Sequence, residues 1–461
     1  MPTPSAIAPL CLVSTIAAAG SVATAQCPPV RFVSPDGPDA DRFAGAITSN
    51  AGQGGGQWAI EETNQVWAYE LVDGRLELRQ ALRAPVPFFT SLFGYSMDMH
   101  GDRLVVGVWS AAWPDRPRST GGAFVFDLVD GQWIPTAEIR PPLDLAIDAA
   151  GGRVAVEGDT IFAGGGSGSP PIIVYEPAPG EPDRWIEVQR LEGPIAIVWG
   201  LPIVPHGDWV FVGAHRDDSV DRFGGSVFVY RRDAAGRYQQ VQKIDGPDEA
   251  PYTVRYFGQS LDTDGRTLAI GALGAAPESD SQGAVFVYEL EGERWTRRQT
   301  LTHRGAQEAD VLGASQLRVD GDRLLAVAIG DRSGRAGGMV YAFERTAAGL
   351  WRQSARLLPN SPDGARQYGG NMALHGDLAL VGASGERVLP SADRVGAAYL
   401  FDLSCYACPD LDGDDRLTVF DSLEFLRAFQ AGEAIADFDN DGQLTALDFL
   451  AFQDAFAVGC P

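Results

Sequence analysis

One pattern, repeated along most of the chain, limits the possible folds more than any other feature. Residues 224–238 read GGSVFVYRRDAAGRY, residues 282–295 QGAVFVYELEGERW and residues 337–351 GGMVYAFERTAAGLW. Each is a strand of alternating residues, a turn, and an aromatic that opens the next strand. Indexed on the aromatic that ends the first of these strands, the series is Tyr69, Phe126, Tyr175, Tyr230, Tyr288, Phe343 and Phe401, with spacings of 57, 49, 55, 58, 55 and 58 residues. An earlier hairpin recurs within the units as GDRLVVG (101–107), GDWVFVG (207–213), GDRLLAVA (321–328) and GDLALVG (376–382). Gly-Asp between alternating strands is a two-residue hairpin signal. Four short strands per unit, seven times over, predict the blades of an all-β seven-bladed propeller.

The last unit stops after its third strand, at GAAYLFDLSC (396–405). The missing strand is supplied from the other end of the chain. Ser34-Pro35-Asp36-Gly37 matches Ser361-Pro362-Asp363-Gly364, and Phe43-Ala44-Gly45 opens a unit as Tyr368-Gly369-Gly370 does. The N-terminal strand therefore completes the seventh blade and leaves no free edge in the ring.

These units resemble FG-GAP repeats, the blades of integrin α-subunit propellers. The Phe-Gly stands at Phe93-Gly94 and Phe257-Gly258, the Gly-Ala at Gly213-Ala214, Gly271-Ala272 and Gly382-Ala383. The resemblance covers most of residues 27–404 and implies a propeller that binds a protein or polysaccharide on one face. It carries no calcium into the propeller, because no D-x-D-x-D-G loop stands there; Asp262-Thr263-Asp264-Gly265 reads as a hairpin turn.

The C-terminal segment follows a different rule. DLDGDDRLTVFD (410–421) and DFDNDGQLTALD (437–448) place Asp at positions 1, 3, 5 and 12 of a twelve-residue loop. That is the spacing of oxygen ligands around calcium, since converging carboxylates repel unless a hard divalent cation sits among them. The ligands expected in loop one are Asp410, Asp412, Asp414, the Arg416 carbonyl, Thr418 and Asp421. Those in loop two are Asp437, Asp439, Asp441, the Gln443 carbonyl, Thr445 and Asp448. Two calcium ions are thus expected. Position 6 is Gly442 in the second loop but Asp415 in the first, so the first is expected to bind more weakly. Each loop feeds an apolar segment at helical spacing, 417–429 and 444–456. Loop then helix, twice, resembles a dockerin, spanning Cys408 to Cys460; the flanking cysteines resemble the GC-type tails of secreted planctomycete-type bacterial proteins. The resemblance implies a cohesin-like or cell-surface partner, contacted through loop positions 10 and 11: Val419 and Phe420, Ala446 and Leu447.

A short apolar run, Leu10 to Ala19, followed by Ala23-Thr24-Ala25, reads as a secretory signal over residues 1–25, and places the mature chain outside the cell or on its surface. No later apolar run approaches the length of a bilayer span. Loss of the signal removes Cys11 and leaves Cys27, Cys405, Cys408 and Cys460, which allow three pairings. Because Cys27 precedes the closing strand and Cys405 follows its neighbour, Cys27–Cys405 and Cys408–Cys460 are expected. The domain order is signal, propeller (27–404) and calcium tail (405–461).

With 36 Lys and Arg against 61 Asp and Glu, the net charge of −25 excludes a nucleic-acid surface. His100, His206 and His375 each precede a Gly-Asp turn and read as turn neighbours; His215 and His303 stand alone. The Trp series 133, 185, 295 and 351 recurs at one position and reads as packing. No nucleophile, phosphate-loop or metalloprotease signature is present. A non-catalytic binding or adhesion propeller displayed through its tail is the expectation. The alternatives are a carbohydrate-active enzyme using carboxylates from several blades, or a structural spacer.

Overall fold

The structure is a computed structural model of the 461-residue chain. It describes residues 29–36, 43–50, 56–86, 90–115, 120–144, 151–164, 171–192, 202–218, 224–247, 254–274, 282–303, 311–329, 338–346, 348–359, 367–387, 395–405, 409, 411, 417–432, 436, 438 and 444–458.

Seven four-stranded antiparallel sheets form the seven blades of a propeller. Blades 1 to 6 span residues 47–82, 90–139, 153–191, 203–245, 260–301 and 312–357; blade 7 spans 368–402 and takes one strand from the N-terminus. In blades 1 to 6 the strands follow chain order outward, and in blade 7 strands 368–375, 378–383 and 397–402 do so with the N-terminal strand outermost, so one strand of every blade lines a common axial channel. Unit 3, the shortest by sequence spacing, forms the same sheet as the others.

The indexed aromatics all fall on third strands, which are largely buried, as the second strands are: Ala284–Glu291 buries its first five residues and Thr267–Ala272 all six. A strand flanked on both sides within its sheet and sandwiched between blades has no solvent face, which is why these segments read VFVY. Fourth strands are half exposed and alternate, as in Arg75–Leu82. The packing reading of the tryptophans holds for Trp133, Trp295 and Trp351, each no more than 3% exposed. Trp185 is half-buried, with the Arg103 guanidinium 5.1 Å from its ring centre.

The Phe-Gly and Gly-Ala pairs have a common physical cause. The Phe, or its counterpart Leu312, is fully buried, and the glycine after it turns the chain at positive φ: 83° at Gly258 and 77° at Gly313. Its carbonyl lies against the Gly-Ala glycine of the preceding blade. A Cβ on Gly213 would fall 2.2 Å from Gly258 O, and one on Gly271 2.2 Å from Gly313 O. At these two junctions two glycines are needed, one for conformation and one for room; where blade 7 meets blade 1, Ala44 takes the positive-φ place at 66° against Gly382.

A second junction device lies on the outer strands. The Gln242 side-chain amide donates to Trp295 O and accepts from Trp295 N, both at 2.9 Å. Gln80 with Trp133, Gln189 with Tyr238, and Gln299 with Trp351 repeat this clasp at 2.7 to 2.9 Å.

Strand Val30–Phe32 pairs antiparallel with Ala397–Asp402, in the register Val30↔Leu400, Arg31↔Tyr399, Phe32↔Ala398. This closes the ring. Arg31 Nε and Nη2 reach Glu386 Oε1 at 2.9 and 2.8 Å, and the Tyr399 hydroxyl donates to Glu386 Oε2 at 2.5 Å. Glu386 is 2% exposed.

Beyond a 3-10 turn at Leu403–Cys405, two helices are described, α1 (Val419–Ala431) and α2 (Ala446–Val458). Phe425 and Phe452 stack across them with ring centres 4.5 Å apart, inside a cluster with Ala428 and Ala436. No helix among the described residues is long and apolar enough to cross a membrane.

Candidate functional site

Two regions bring chemistry together, the axial channel and the paired loops of the tail.

The channel encloses about 1040 Å³. Inner-strand side chains enter it at alternate positions, so residues at the same register in the first hairpin of each blade share one level, as do those paired with Val105, Ala269 and Leu325. At that level stand Asp98 from blade 2, Asp262 from blade 5 and Arg318 from blade 6. Val156 N of blade 3 donates to Asp98 Oδ2 at 2.8 Å, and Val319 N of blade 6 donates to Asp262 Oδ2 at 2.7 Å. Burial pushes both carboxyls up to about 6, against the pull of those amides and of Arg318. Both respond to the same forces, so neither is set apart as acid or as base. Their geometry tethers neighbouring blades.

At one mouth the turn residues form a rim. His100 Nδ1 lies 3.2 Å from Glu157 Oε2, and Gly207 N donates to Glu157 Oε1 at 2.8 Å. The hydrogen bond from His100 outweighs partial burial and raises the imidazole above its usual range. Gly376 N donates to Asp320 Oδ2 at 2.7 Å. The histidines before the Gly-Asp turns thus sit in a belt of blade-to-blade contacts. The Asp264 side chain accepts from Arg266 N and Thr267 N, so the hairpin turn read from sequence stands at 264–266, while Asp262 and Thr263 belong to the strand before it.

At the other mouth stand Tyr95, His215 and Ile329. Tyr95 packs edge-on against Trp109, ring centres 4.8 Å apart, and the two are 37% and 40% exposed. His215 is 7% exposed, its Nδ1 has no hydrogen-bond partner among the described residues, and burial, with Arg216 nearby, lowers it to about 4. Sequence reasoning missed these residues and the channel carboxylates. One signal was available: Trp109 occupies the place after the Gly-Ala pair that Leu273 and Ser384 hold elsewhere.

In the tail, Thr418 and Thr445 begin the two helices in the same way. Thr418 Oγ1 accepts from Phe420 N and Thr445 Oγ1 from Leu447 N, both at 3.1 Å. Asp421, at loop position 12, accepts from Leu411 N at 2.8 Å and Thr418 N at 2.7 Å. Asp448 accepts from Phe438 N and Thr445 N, both at 2.7 Å. Each carboxylate is fully buried and ties the second residue of its loop to the helix start. A buried carboxylate closing an all-oxygen loop fits a hard cation. Asp410, Asp412, Asp414, Arg416, Asp437, Asp439, Asp441 and Gln443 lie outside the described residues, as do Cys27, Cys408 and Cys460. Among the described residues no group of three His, Cys, Asp or Glu is placed to hold a metal ion.

The four residues expected to face a partner are described. Val419, Phe420 and Leu447 are 65%, 62% and 58% exposed, and Ala446 is exposed. Leu423, Leu426 and Leu450 on the same two helices are also at least half exposed.

Residues 238–288 and 351–401 match the family described as FG-GAP repeat. Each match begins at the fourth strand of one blade and ends in the third strand of the next, so the matched unit straddles a blade junction. No curated protein matches the chain.

Proposed function

We propose that this chain is an exported, non-catalytic binding propeller, attached to a protein partner through its calcium-dependent tail. The observation that carries the attachment is the apolar surface of the two helices. A pair of helices this small has its aromatic interior filled by Phe425 and Phe452, yet leaves Phe420, Leu423, Leu426, Leu447 and Leu450 half or more exposed. Such a patch on an exported domain is a docking surface, and the cohesin-like class of partner follows from the loop–helix resemblance. Calcium, when bound, neutralises the clustered carboxylates. Asp421 and Asp448 would hold it from the helix side, with Asp410, Asp412, Asp414, Thr418 and the Arg416 carbonyl in the first loop and their counterparts in the second. The propeller supplies a rigid closed ring with a polar channel, and its paired carboxylates are spent on blade contacts, which favours binding over hydrolysis.

Chelation of the full-length chain tests the tail. Calcium removal is expected to abolish the lower of two thermal transitions and the helical circular dichroism of the tail, leaving the propeller transition in place. A chelator-insensitive tail refutes the calcium reading. With calcium present, Phe420→Asp and Leu447→Asp should leave both transitions unchanged and abolish capture by a cohesin-type domain.

A further inference from the structure

We propose that the channel mouth carrying Tyr95, Trp109 and His215 is a binding site for a neutral oligosaccharide. The proposal rests on the reading of the propeller as a binding module and names the ligand it takes.

Three observations converge. First, the aromatics of the third strands are buried between blades, whereas Tyr95, which lines the opening, and Trp109, which packs against Tyr95, are each more than a third exposed. An edge-on pair leaves an indole face open, and the apolar C–H face of a sugar ring packs on such a surface while its hydroxyls stay solvated. Second, His215 is buried against the same cavity, and its Nδ1 has no partner among the described residues. A buried polar atom without a partner costs free energy, which a ligand hydroxyl at this nitrogen would recover. His215 is neutral at physiological pH, so it offers one donor and one acceptor, suited to a hydroxyl group and not to a carboxylate. Third, the chain carries a net charge of −25, which repels a polyanionic saccharide, while Asp98 and Asp262 deeper in the channel are already engaged with backbone amides. The site therefore takes a sugar with C–H faces and hydroxyls but no charge.

Purified full-length chain, calcium-loaded, is titrated with neutral gluco-, manno- and xylo-oligosaccharides by calorimetry and tryptophan fluorescence. At least one series should bind, with an affinity indifferent to salt. Trp109→Ala and His215→Ala should each weaken it about tenfold, and Trp109→Phe should retain it. Both side chains sit at the mouth, and an unchanged propeller melting temperature verifies that Trp109→Ala remains folded. No binding to any neutral series overturns the proposal, as does binding unaffected by Trp109→Ala or lost on raising salt. Partner capture by the tail is scored on the same preparations, so a failed saccharide site is distinguishable from a failed display module.

Discussion

Replacing Arg31 with alanine tests the ring closure directly. The closing strand has three residues, and Val30 at its start is 55% exposed, so pairing and burial alone hold it weakly. Arg31 makes two contacts to Glu386, whose carboxylate is almost wholly buried and otherwise bonded to the Tyr399 hydroxyl. Removing one partner of a buried pair costs about 3–5 kcal/mol, because the remaining charge stays in the interior. The Arg31 side chain is 34% exposed, and water entering its space would solvate Glu386 in part, which places the cost near the lower end, about 3 kcal/mol. For a domain of this size each kcal/mol lowers the melting temperature by roughly 2 °C, so a fall of about 6 °C is expected. Hydrogen exchange should localise the loss to strands 30–32 and 397–402. In the double variant Arg31→Ala/Glu386→Gln the buried charge is gone, and more than half of the loss should return. A single variant that melts within about 1 °C of the parent, or a double variant as unstable as the sum of the singles, refutes the assignment of closure to this pair.

The channel carboxylates give a pH signature. Asp98 and Asp262 titrate near 6 in the fold, above the 3.8 of the free side chain, so the folded state holds their protons to higher pH than the unfolded chain. Their contribution to stability is therefore largest below about pH 4, declines as pH rises to 6, and is flat above. The ceiling is about 3 kcal/mol per group, reduced to roughly 1 by water in the channel. Asp98→Asn keeps an acceptor for Val156 N and should lower the slope of melting temperature against pH between pH 4 and 6, with Asp262 supplying the remainder; an unchanged slope contradicts the assignment. Gly271→Ala places a methyl 2.2 Å from the Gly313 carbonyl and should destabilise the propeller by about 1–3 kcal/mol, read as a lower melting temperature. A neutral result there would disprove the account of the paired glycines.

Much of the propeller was legible because its signals are local. Alternation in VFVY, a Gly-Asp turn at 101–102 and the aromatic index each depend on residues a few positions apart, and repetition turned seven weak signals into one strong one. Even the closing strand was legible, since the repeat itself defines what the seventh unit lacks. The two helix starts of the tail were readable for the same reason, since the threonine and aspartate that begin each helix are three apart. The contacts that give the molecule its chemistry are of another kind. Asp98 meets Val156 N across 58 residues, and Arg31 meets Glu386 across 355. Tyr95 and His215 line one cavity only because the second and fourth blades surround a common axis. Alternation assigns a side chain to a face of its strand, but whether that face meets a neighbouring blade or the channel depends on closure of the ring. Local backbone preference and hydrophobic period are encoded by neighbours in sequence; burial of a carboxylate, and the opening left beside an exposed tryptophan, are set by packing among all seven sheets.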